Sequence, residues 1–260
     1  MKSITLESYA EIIKATSIND FKSNSIPNDL LICTEGKYQT FYAPFDYINV
    51  DAKVVIVGIT PGLQQASNAL IKAREVLLET GSIEEAKKQA KVYGSFSGPM
   101  RKNLTEMLDN IGLSELVGIR STEDLFEEES HLVNFTSAIR YPVFENGKNF
   151  NDKPIKLKEQ LLAWFAEECE VLNDAIYIPL GPKVSEALEY VVQLGKLSPE
   201  QVLTGLPHPS GSNIERIKYF LGKKDKKDLS SKTNPDILDA AKYELMQKIS
   251  VMRGRFSHQF

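Results

Sequence analysis

The sequence predicts an α/β fold, as a single three-layer domain with a four-stranded, mainly parallel central sheet and helices on both faces. Short apolar runs rich in β-branched residues alternate along the chain with longer stretches of helical spacing. The chain also has no internal repeat, no low-complexity segment and no Gly/Ser-rich linker, which favours one domain over residues 1–260.

Four apolar runs predict the strands of the central sheet. The first, residues 54–57, is short and β-branched, which is typical of a strand that is buried on both faces. The others are residues 131–139, 175–180 and 202–206. Gly58 follows the first run and Pro207 follows the last, so both strands are expected to end in loops. In parallel sheets, ligands bind where loops leave the carboxyl ends of strands.

The segments outside these runs predict helices and loops. Residues 1–50 are expected to form a helical and irregular extension, with irregular structure or short strands in its second half. Residues 63–91 predict an insertion of one or two helices. Residues 234–252 predict a C-terminal helix with Asn234 as its N-cap. Further helices are expected near residues 104–112, 155–171 and 184–194.

The composition is that of an ordinary globular protein. The 260 residues carry a formal charge of −4, with 42% hydrophobic and 25% charged residues. Residues 1–20 have no uninterrupted apolar stretch of the signal-peptide kind, and no segment approaches the ~18 apolar residues of a membrane helix. A cytoplasmic protein with no membrane contact is therefore expected. The net negative charge argues against a strongly basic nucleic-acid binder, but it does not exclude a local basic face.

Metal and disulfide chemistry is not expected. Cys33 and Cys169 are too few for a disulfide framework, a four-Cys zinc site or an iron–sulfur cluster, and two buried free thiols are the favoured interpretation. The histidines, His131, His208 and His258, are widely spaced. No cofactor and no metal is predicted.

Residues 58–62, Gly-Ile-Thr-Pro-Gly, form the first loop of chemical interest. Two glycines and a proline directly after a buried strand make a tight turn whose backbone N–H groups are able to face a ligand. The loop lacks the third glycine of a dinucleotide fingerprint and the Gly-Lys-Ser/Thr of a Walker A loop. A plain strand-to-helix turn has the same pattern, so that alternative stays open.

The second loop carries His208 between Pro207 and Pro209. Each proline restricts its own φ and biases the preceding residue to extended geometry, so the histidine is held in a stiff backbone. A structural turn histidine is the alternative. A local charge of +4 over residues 214–227 follows this loop, and Arg216 within it is expected to contact phosphate. For the lysines at its far end, a solvated loop is the favoured interpretation.

Together the two loops resemble the signature motifs of the uracil-DNA glycosylase superfamily. The family's first motif is Gly, a variable residue, a polar residue (Asp or Asn in several branches), Pro, then Gly or Tyr; here Thr60 holds the polar position. Its second is His-Pro-Ser followed by Pro or a small residue, which HPSGSN at 208–213 matches closely. Similar segments lie between them in the same order, so the resemblance covers about residues 54–216: GSFSGPMRKNLTEML, HLVNFTSAIRYP and IYIPLGPKVSEAL.

The resemblance implies a role for each matching residue. His208 stabilises the departing base by donating to a carbonyl oxygen, and Thr60 holds the attacking water, although a hydroxyl does not accept a proton near neutral pH. The implied base-binding residues are Ile59, Phe96, which stacks on the base, and Asn134, which reads its edge. For Asn134 the alternative is an amide that satisfies local backbone. The implied contacts to the DNA backbone are Gly62, Ser210, Gly211, Ser212, Asn213 and Arg216.

The function implied by the resemblance is that of a monofunctional DNA glycosylase. It flips a damaged or modified pyrimidine out of DNA and hydrolyses its N-glycosidic bond, leaving an abasic site for base excision repair. DNA is the expected partner, and a monomer is expected. The two cysteines exclude the cluster-bearing branches, which use four.

Several alternatives for substrate and activity stay open. The target base is uracil, mismatched thymine or a modified cytosine. Thr60 and the insertion at 63–91 favour a modified base, which would fit antiviral defence against foreign (phage) DNA. One alternative is a catalytically inactive DNA-binding member of the same fold. A phosphate-ester or nucleotide hydrolase using His208 is disfavoured, because no metal-ligand cluster is present in the sequence.

Overall fold

The computed structural model describes residues 4–23, 25–95 and 99–256. The chain divides into two compact units, each assembled from three segments. The first unit comprises Met1–Ile48, Gly58–Ser97 and Phe135–Cys169. The second comprises Asn49–Val57, Gly98–Asn134 and Glu170–Phe260. A single domain over residues 1–260 stays a prediction.

Helices and strands alternate along most of the chain, as the sequence predicts. The strands are β1 (Leu31–Glu35), β2 (Tyr38–Phe41), β3 (Val54–Gly58), β4 (Val133–Ser137), β5 (Val143–Glu145), β6 (Lys148–Asn149) and β7 (Ile176–Pro179). The helices are α1 (Leu6–Ala15), α2 (Ile18–Phe21), α3 (Leu63–Glu79), α4 (Ile83–Gly94), α5 (Pro99–Asn110), α6 (Leu113–Val117), α7 (Lys158–Gln160), α8 (Glu167–Val171), α9 (Pro182–Gln193), α10 (Ile214–Phe220) and α11 (Pro235–Phe256). Between α7 and α8 the backbone is π-helical over Leu161–Ala166.

The sheet that carries the first loop has three strands in the order β4-β3-β7. β3 pairs with β7 in parallel, with Val54 opposite Ile176 and Val57 opposite Pro179. Residues 54–57 of β3 are fully buried, in accord with their unbroken apolar sequence. The α/β class is confirmed.

The prediction of a four-stranded parallel sheet is wrong in its strand count, because this sheet has three strands. In the part of the chain that the structure describes, residues 202–206 contribute only one parallel bridge, between Val202 and Tyr177. Gly205 then takes a φ of +114°, outside the extended region. Pro207 has no N–H to donate to a ladder, so the pairing stops after the first residues of the run.

A second sheet is antiparallel and has the strand order β1-β2-β5-β6. Its first two strands confirm the short strands expected before residue 50. Strands β5 and β6 were not predicted from the sequence; they form a hairpin with Phe144 opposite Asn149. Its turn is Asn146-Gly147, and both residues have positive φ, 51° and 75°. An Asn-Gly pair in this conformation matches the twist of the flanking strands.

The predicted insertion at 63–91 consists of the two helices α3 and α4, and α4 continues to Gly94. The helices pack closely at this glycine, since a Cβ there would approach Ala69 Cβ at 2.9 Å and the Gln65 carbonyl oxygen at 3.0 Å. Their apolar faces join the core of the first unit, which includes Leu70 and Ala90. Glycine at 94 therefore allows the contact between these helices.

Helix α11 confirms the predicted C-terminal helix and its cap. The backbone N–H groups of Asp236 and Ile237 donate to Asn234 Oδ1 at 3.0 and 3.3 Å. Leu245 and Ile249 are buried on its inner face. Within the described ranges, no helix is both long enough and apolar enough to cross a membrane.

Candidate functional site

The first loop is fastened to the segment that follows β4. Ile139 N–H donates to the Ile59 carbonyl oxygen at 2.9 Å. Thr60 Oγ1 donates to the Tyr141 carbonyl oxygen at 2.8 Å. The hydroxyl proton of Thr60 is thus already engaged, and its oxygen offers a ligand only acceptor capacity.

The start of α3, directly after the first loop, is capped by side chains. Gly62 N–H donates to Gln65 Oε1 at 3.1 Å, and Leu63 N–H donates to Asn149 Oδ1 at 2.9 Å. The N–H groups at the helix start therefore have acceptors within the protein. The implied contact between Gly62 and a DNA phosphate stays a prediction. In that contact a phosphate oxygen would replace Gln65 Oε1 as the acceptor of the Gly62 N–H.

A cavity lies beside the first loop, entirely within the first unit. Its volume is about 20 Å³, which is room for about one water molecule. The wall combines aromatic rings, an amide, three hydroxyls and one guanidinium. The lining residues are Phe45, Pro61, Gln65, Ser95, Phe135, Thr136, Ser137 and Arg140. Most of these side chains are polar, so the cavity is suited to a water molecule rather than to a ligand of the size of a base.

A buried charge cluster, formed by Lys91, Arg140 and Glu168, supports one wall of the cavity. Arg140 Nη2 donates to Glu168 Oε2 and to the carbonyl oxygen of Trp164, both at 2.9 Å. Thr136 Oγ1 donates to the same carboxylate at 3.2 Å. Lys91 Nζ lies 3.9 Å from Glu168 Oε1, and the two side chains are only 3% and 1% exposed. The cluster therefore fixes Arg140 from its buried side.

Burial lowers the pKa of Lys91. The pKa falls to about 8, mainly because the ammonium is desolvated; Glu168 opposes this shift and the nearby Arg140 contributes to it. The ammonium also donates to the Tyr47 carbonyl oxygen. A pKa near 8 keeps Lys91 charged at neutral pH, so Glu168 is paired with two cations.

No member of the buried charge cluster was predicted from the sequence. One signal was available: Lys91 follows the buried Ala90 on α4, and Glu168 precedes the buried Cys169 on α8. A charged residue on the apolar face of a helix needs a buried partner, and this criterion would have identified both residues.

His208 is half-buried in its loop, and its hydrogen bonding defines its tautomer. Ser210 N–H donates to His208 Nδ1 at 3.3 Å, so Nδ1 is an acceptor and the proton of the neutral ring lies on Nε2. Burial lowers the pKa of the imidazole, which favours the neutral form. Asn103 Nδ2 donates to the Pro209 carbonyl oxygen at 2.9 Å and holds the loop. His208 therefore offers an Nε2–H donor.

Gly181, which precedes α9, packs against His208. Its φ is +89°, and a Cβ built on it would lie 3.4 Å from His208 Cβ. Glycine is favoured here by its conformation, and its lack of a side chain leaves room for the ring. The sequence analysis did not name Gly181 as a site residue, although the Gly-Pro pair directly after a strand run was visible.

Four of the residues implied to contact the DNA backbone form one polar network. Ser210 Oγ and Ser212 Oγ are 2.9 Å apart, and Asn213 Nδ2 donates to Ser210 Oγ at 3.1 Å. Arg216 Nη1 donates to Asn213 Oδ1 at 2.7 Å, and its Nη2 donates to the Lys232 carbonyl oxygen at 2.9 Å. The network places two hydroxyls and a guanidinium at the surface directly after His208. Gly211 is exposed in the short 3-10 turn of this segment.

The lysines after this network are paired with acidic groups. Lys223 Nζ lies 2.6 Å from Glu106 Oε2, and Lys226 Nζ lies 2.7 Å from Asp236 Oδ1. These contacts offset much of the local positive charge that the sequence shows over 214–227.

Asn134 lies near the start of β4 and is only 1% exposed. Its Oδ1 accepts the backbone N–H of Asn49 at 3.1 Å, within the second unit. The amide thus satisfies a backbone group, as in the alternative role that the sequence left open, but that group is 85 positions away in the chain. A base-reading role for Asn134 stays a prediction. Phe96, the implied stacking residue, lies outside the described residues.

The two cysteines differ in burial, although the sequence favoured two buried thiols. Both cysteines are free, but Cys33 is half-buried whereas Cys169 is buried. Among the described residues, no group of three or more His, Cys, Asp or Glu side chains is placed to hold a metal ion.

Comparison with known proteins identifies the family. The chain matches the model of the Uracil DNA glycosylase superfamily over residues 45–237, a stretch that contains both loops. The chain belongs to the uracil-DNA glycosylase superfamily. Membership indicates a DNA glycosylase in general terms, a hydrolase that acts on DNA.

The chain is similar to a protein of Bacillus subtilis (strain 168) named "Uncharacterized protein YoxB". The two sequences are 34% identical over 244 residues, and the alignment covers 91% of this chain and 95% of the relative. No solved structure matches the chain significantly.

Proposed function

We propose that this protein is a monofunctional DNA glycosylase that flips a damaged or modified pyrimidine out of DNA and hydrolyses its N-glycosidic bond. The observation that carries the proposal is the state of His208. Ser210 N–H and burial favour a neutral imidazole with its proton on Nε2. Such a group is suited to donate a hydrogen bond to a carbonyl oxygen of the departing base.

The reaction breaks the bond between C1′ of the sugar and N1 of the base. The electron pair of that bond leaves with the base, and the transition state resembles an oxocarbenium ion. A water oxygen bonds to C1′, and the proton that the water loses is taken up through solvent by the base. His208 Nε2–H stabilises the charge that develops on the base carbonyl. One preorganised donor of this kind contributes about 3–4 kcal/mol to the transition state.

The polar network after His208 supports the DNA contact in this proposal. Ser210, Ser212 and Arg216 lie together at the surface, and hydroxyls and guanidinium groups are common partners of phosphate oxygens. Gly62 and Gly211 are also proposed to contact the DNA backbone. The protein is further proposed to act as a monomer in the cytoplasm, without a metal cluster.

A catalytically inactive DNA-binding protein is the second candidate, and Thr60 favours it. Its hydroxyl proton is engaged by the Tyr141 carbonyl oxygen, and the loop 58–62 carries no carboxylate that would accept a proton from water. In the glycosylase proposal, Thr60 only holds the water by accepting one of its hydrogen bonds.

The target base is proposed to be uracil, mismatched thymine or a modified cytosine in foreign DNA. The test uses duplexes that carry uracil, a thymine mismatch, hydroxymethylated cytosine or glucosylated cytosine, with abasic sites as the readout. At least one duplex is expected to be cut. His208→Ala is expected to reduce cleavage about 10²–10³-fold.

His131→Ala is the matched control, since this histidine is 64% exposed and its nearby partner is the surface Glu129. It should cleave like the wild type. The glycosylase proposal is wrong if no duplex is cut, and in that case DNA binding that weakens in His208→Ala supports the second candidate.

A further inference from the structure

A groove in the first unit lies between α1, β1 and the segment that runs from α7 into the π-helical turns. Its volume is about 720 Å³, within the range of ordinary small-molecule sites. None of the described residues that line it belongs to the loops at 58–62 and 207–213. The groove therefore shares no residue with either loop of the proposed function.

Aliphatic side chains form the floor of the groove. Ile12, Leu31 and Ile32 line it and pack with their other side against the core of the first unit. Each of the three is only partly buried, so apolar surface in a concave site is left in contact with water. A ligand with an apolar body would displace this water, which favours its binding.

Two aromatic rings in the wall of the groove are held in place by buried tyrosines. Tyr9 stacks on Tyr42, with ring centroids 4.1 Å apart and an angle of 3° between the planes. Trp164 packs edge-on against Tyr141, at 4.8 Å and 81°. Trp164 also lies in the π-helical segment, a kind of turn that is frequent at functional sites. The rings are thus preorganised to contact a ligand, and the faces of such rings attract cations.

The charged side chains that line the groove are all acidic. They are Asp29, Glu35 and Glu159, and no Lys, Arg or His stands among the described residues of the lining. Lys37, the nearest basic residue to Glu35 in the sequence, pairs with Glu145 at 2.5 Å instead. Charge complementarity therefore favours a cation over a neutral or an anionic ligand.

The carboxylate of Glu35 is oriented by its neighbours. Gln160 Nε2 donates to Glu35 Oε1 at 2.5 Å and to Thr40 Oγ1 at 3.0 Å. The thiol of Cys33 donates to the same Glu35 oxygen at 3.7 Å. Burial raises the pKa of this thiol, so it is protonated and unreactive at neutral pH. These uncharged donors fix Glu35 without neutralising its negative charge.

We propose that the groove binds a small organic cation, an ammonium group on an apolar body, with the apolar part against Tyr9 and Trp164 and the ammonium beside Glu35. An inorganic cation would leave the apolar floor in contact with water, and a neutral apolar molecule would leave the carboxylates without a partner. An ammonium carries three donors for carboxylate oxygens and also interacts with the ring faces. The proposal goes beyond the glycosylase function and does not depend on it.

Trp164 is the single tryptophan of the chain, so its fluorescence reports directly on the groove. The probes are benzylammonium, benzyl alcohol and benzoate, which share an aromatic ring and differ in charge. Benzylammonium is expected to bind about tenfold more tightly than benzyl alcohol, and benzoate is expected to bind most weakly. Calorimetric titration measures the same affinities without relying on fluorescence.

Glu35→Gln tests the charge while keeping the size of the side chain. Its affinity for benzylammonium is expected to fall about tenfold, whereas its affinity for benzyl alcohol should be unchanged, since the apolar contacts are kept. Glu11→Gln is the matched control, because Glu11 is 87% exposed on α1, pairs with Lys14 and does not line the groove. It should bind both probes like the wild type.

The proposal is overturned if the wild type binds the three probes equally, or binds benzyl alcohol or benzoate more tightly than benzylammonium. Absence of saturable binding in both measurements overturns it as well, as does an equal benzylammonium affinity in Glu35→Gln and the wild type. If Glu35→Gln loses both probes, the exposed Glu159→Gln takes its place, and an unchanged preference for the cation there contradicts the proposal. No DNA is present in these titrations, so their outcome is independent of whether the protein cleaves any duplex.

Discussion

The buried charge cluster and the His208 loop reach different charge states, although burial shifts the pKa of Lys91 and of His208 in the same direction. Burial lowers the pKa of Lys91 to about 8 and also lowers the pKa of His208. Lys91 starts from a high value and stays charged at neutral pH, so it requires the carboxylate of Glu168. His208 starts near neutrality and becomes uncharged, so a backbone N–H on Nδ1 is sufficient. The same desolvation thus produces an ion-paired cluster in one region and a neutral donor in the other.

Glu168→Gln is expected to have the largest effect, because it removes the negative charge that compensates two buried cations. Breaking a buried ion pair in this way costs about 3–5 kcal/mol. The free energy of unfolding from urea titration measures it. Glu167→Gln, at the adjacent and exposed position, is the matched control and should stay within about 0.5 kcal/mol of the wild type. A loss of similar size in both variants would refute the distinction between buried and exposed charge.

The titration of His208 tests the second region, in which burial is expected to keep the imidazole neutral. NMR titration of the imidazole C–H signals is expected to give a midpoint below the ordinary value of about 6.5, because charging the ring costs desolvation and gives up the Ser210 N–H. The folded pKa is then lower than the unfolded one. The contribution of this group to stability is therefore fully present above about pH 6.5 and is lost as the pH falls through the folded pKa.

A midpoint for His208 at or above about 6.5 contradicts a neutral donor. The His208 signals are assigned by their absence from the spectrum of His208→Ala.

Lys223→Gln is expected to have the smallest effect. Its partner Glu106 lies at 2.6 Å, but the two side chains are 55% and 32% exposed, so water screens the pair. Exposed pairs contribute about 0–1 kcal/mol. The measurement is urea unfolding, as for Glu168→Gln, repeated at high salt. A loss as large as that of Glu168→Gln would show that distance rather than burial controls these ion pairs.

The elements with strong local signals were predictable from the sequence. The run at 54–57 forms β3, and Asn234 caps α11 as expected. The β5–β6 hairpin was missed although Asn146-Gly147 is a clear local signal for it. The expected fourth strand fails because pairing depends on φ at Gly205, which the apolar character of the run does not reveal.

For the candidate site, the sequence identified the loops but not the groups that support them. His208 and its serines stand in one short segment, so their proximity follows from the chain itself. Lys91, Arg140 and Glu168 are separated by up to 77 positions. Only the packing of α4, α8 and the segment after β4 brings their charges together. The same holds for Asn134, whose partner Asn49 is 85 positions away.

The sequence by itself determined the α/β class, the two loops and the family resemblance, because these depend on local spacing and on neighbouring residues. Only the tertiary structure decided the charge states and the free hydrogen-bonding capacity of the site. Lys91 and His208 acquire their shifted pKa values from burial by distant segments, and Glu168 and the Trp164 carbonyl oxygen hold the guanidinium of Arg140 through its Nη2. Desolvation and hydrogen-bond geometry are properties of packed neighbours in space, which a linear pattern does not specify.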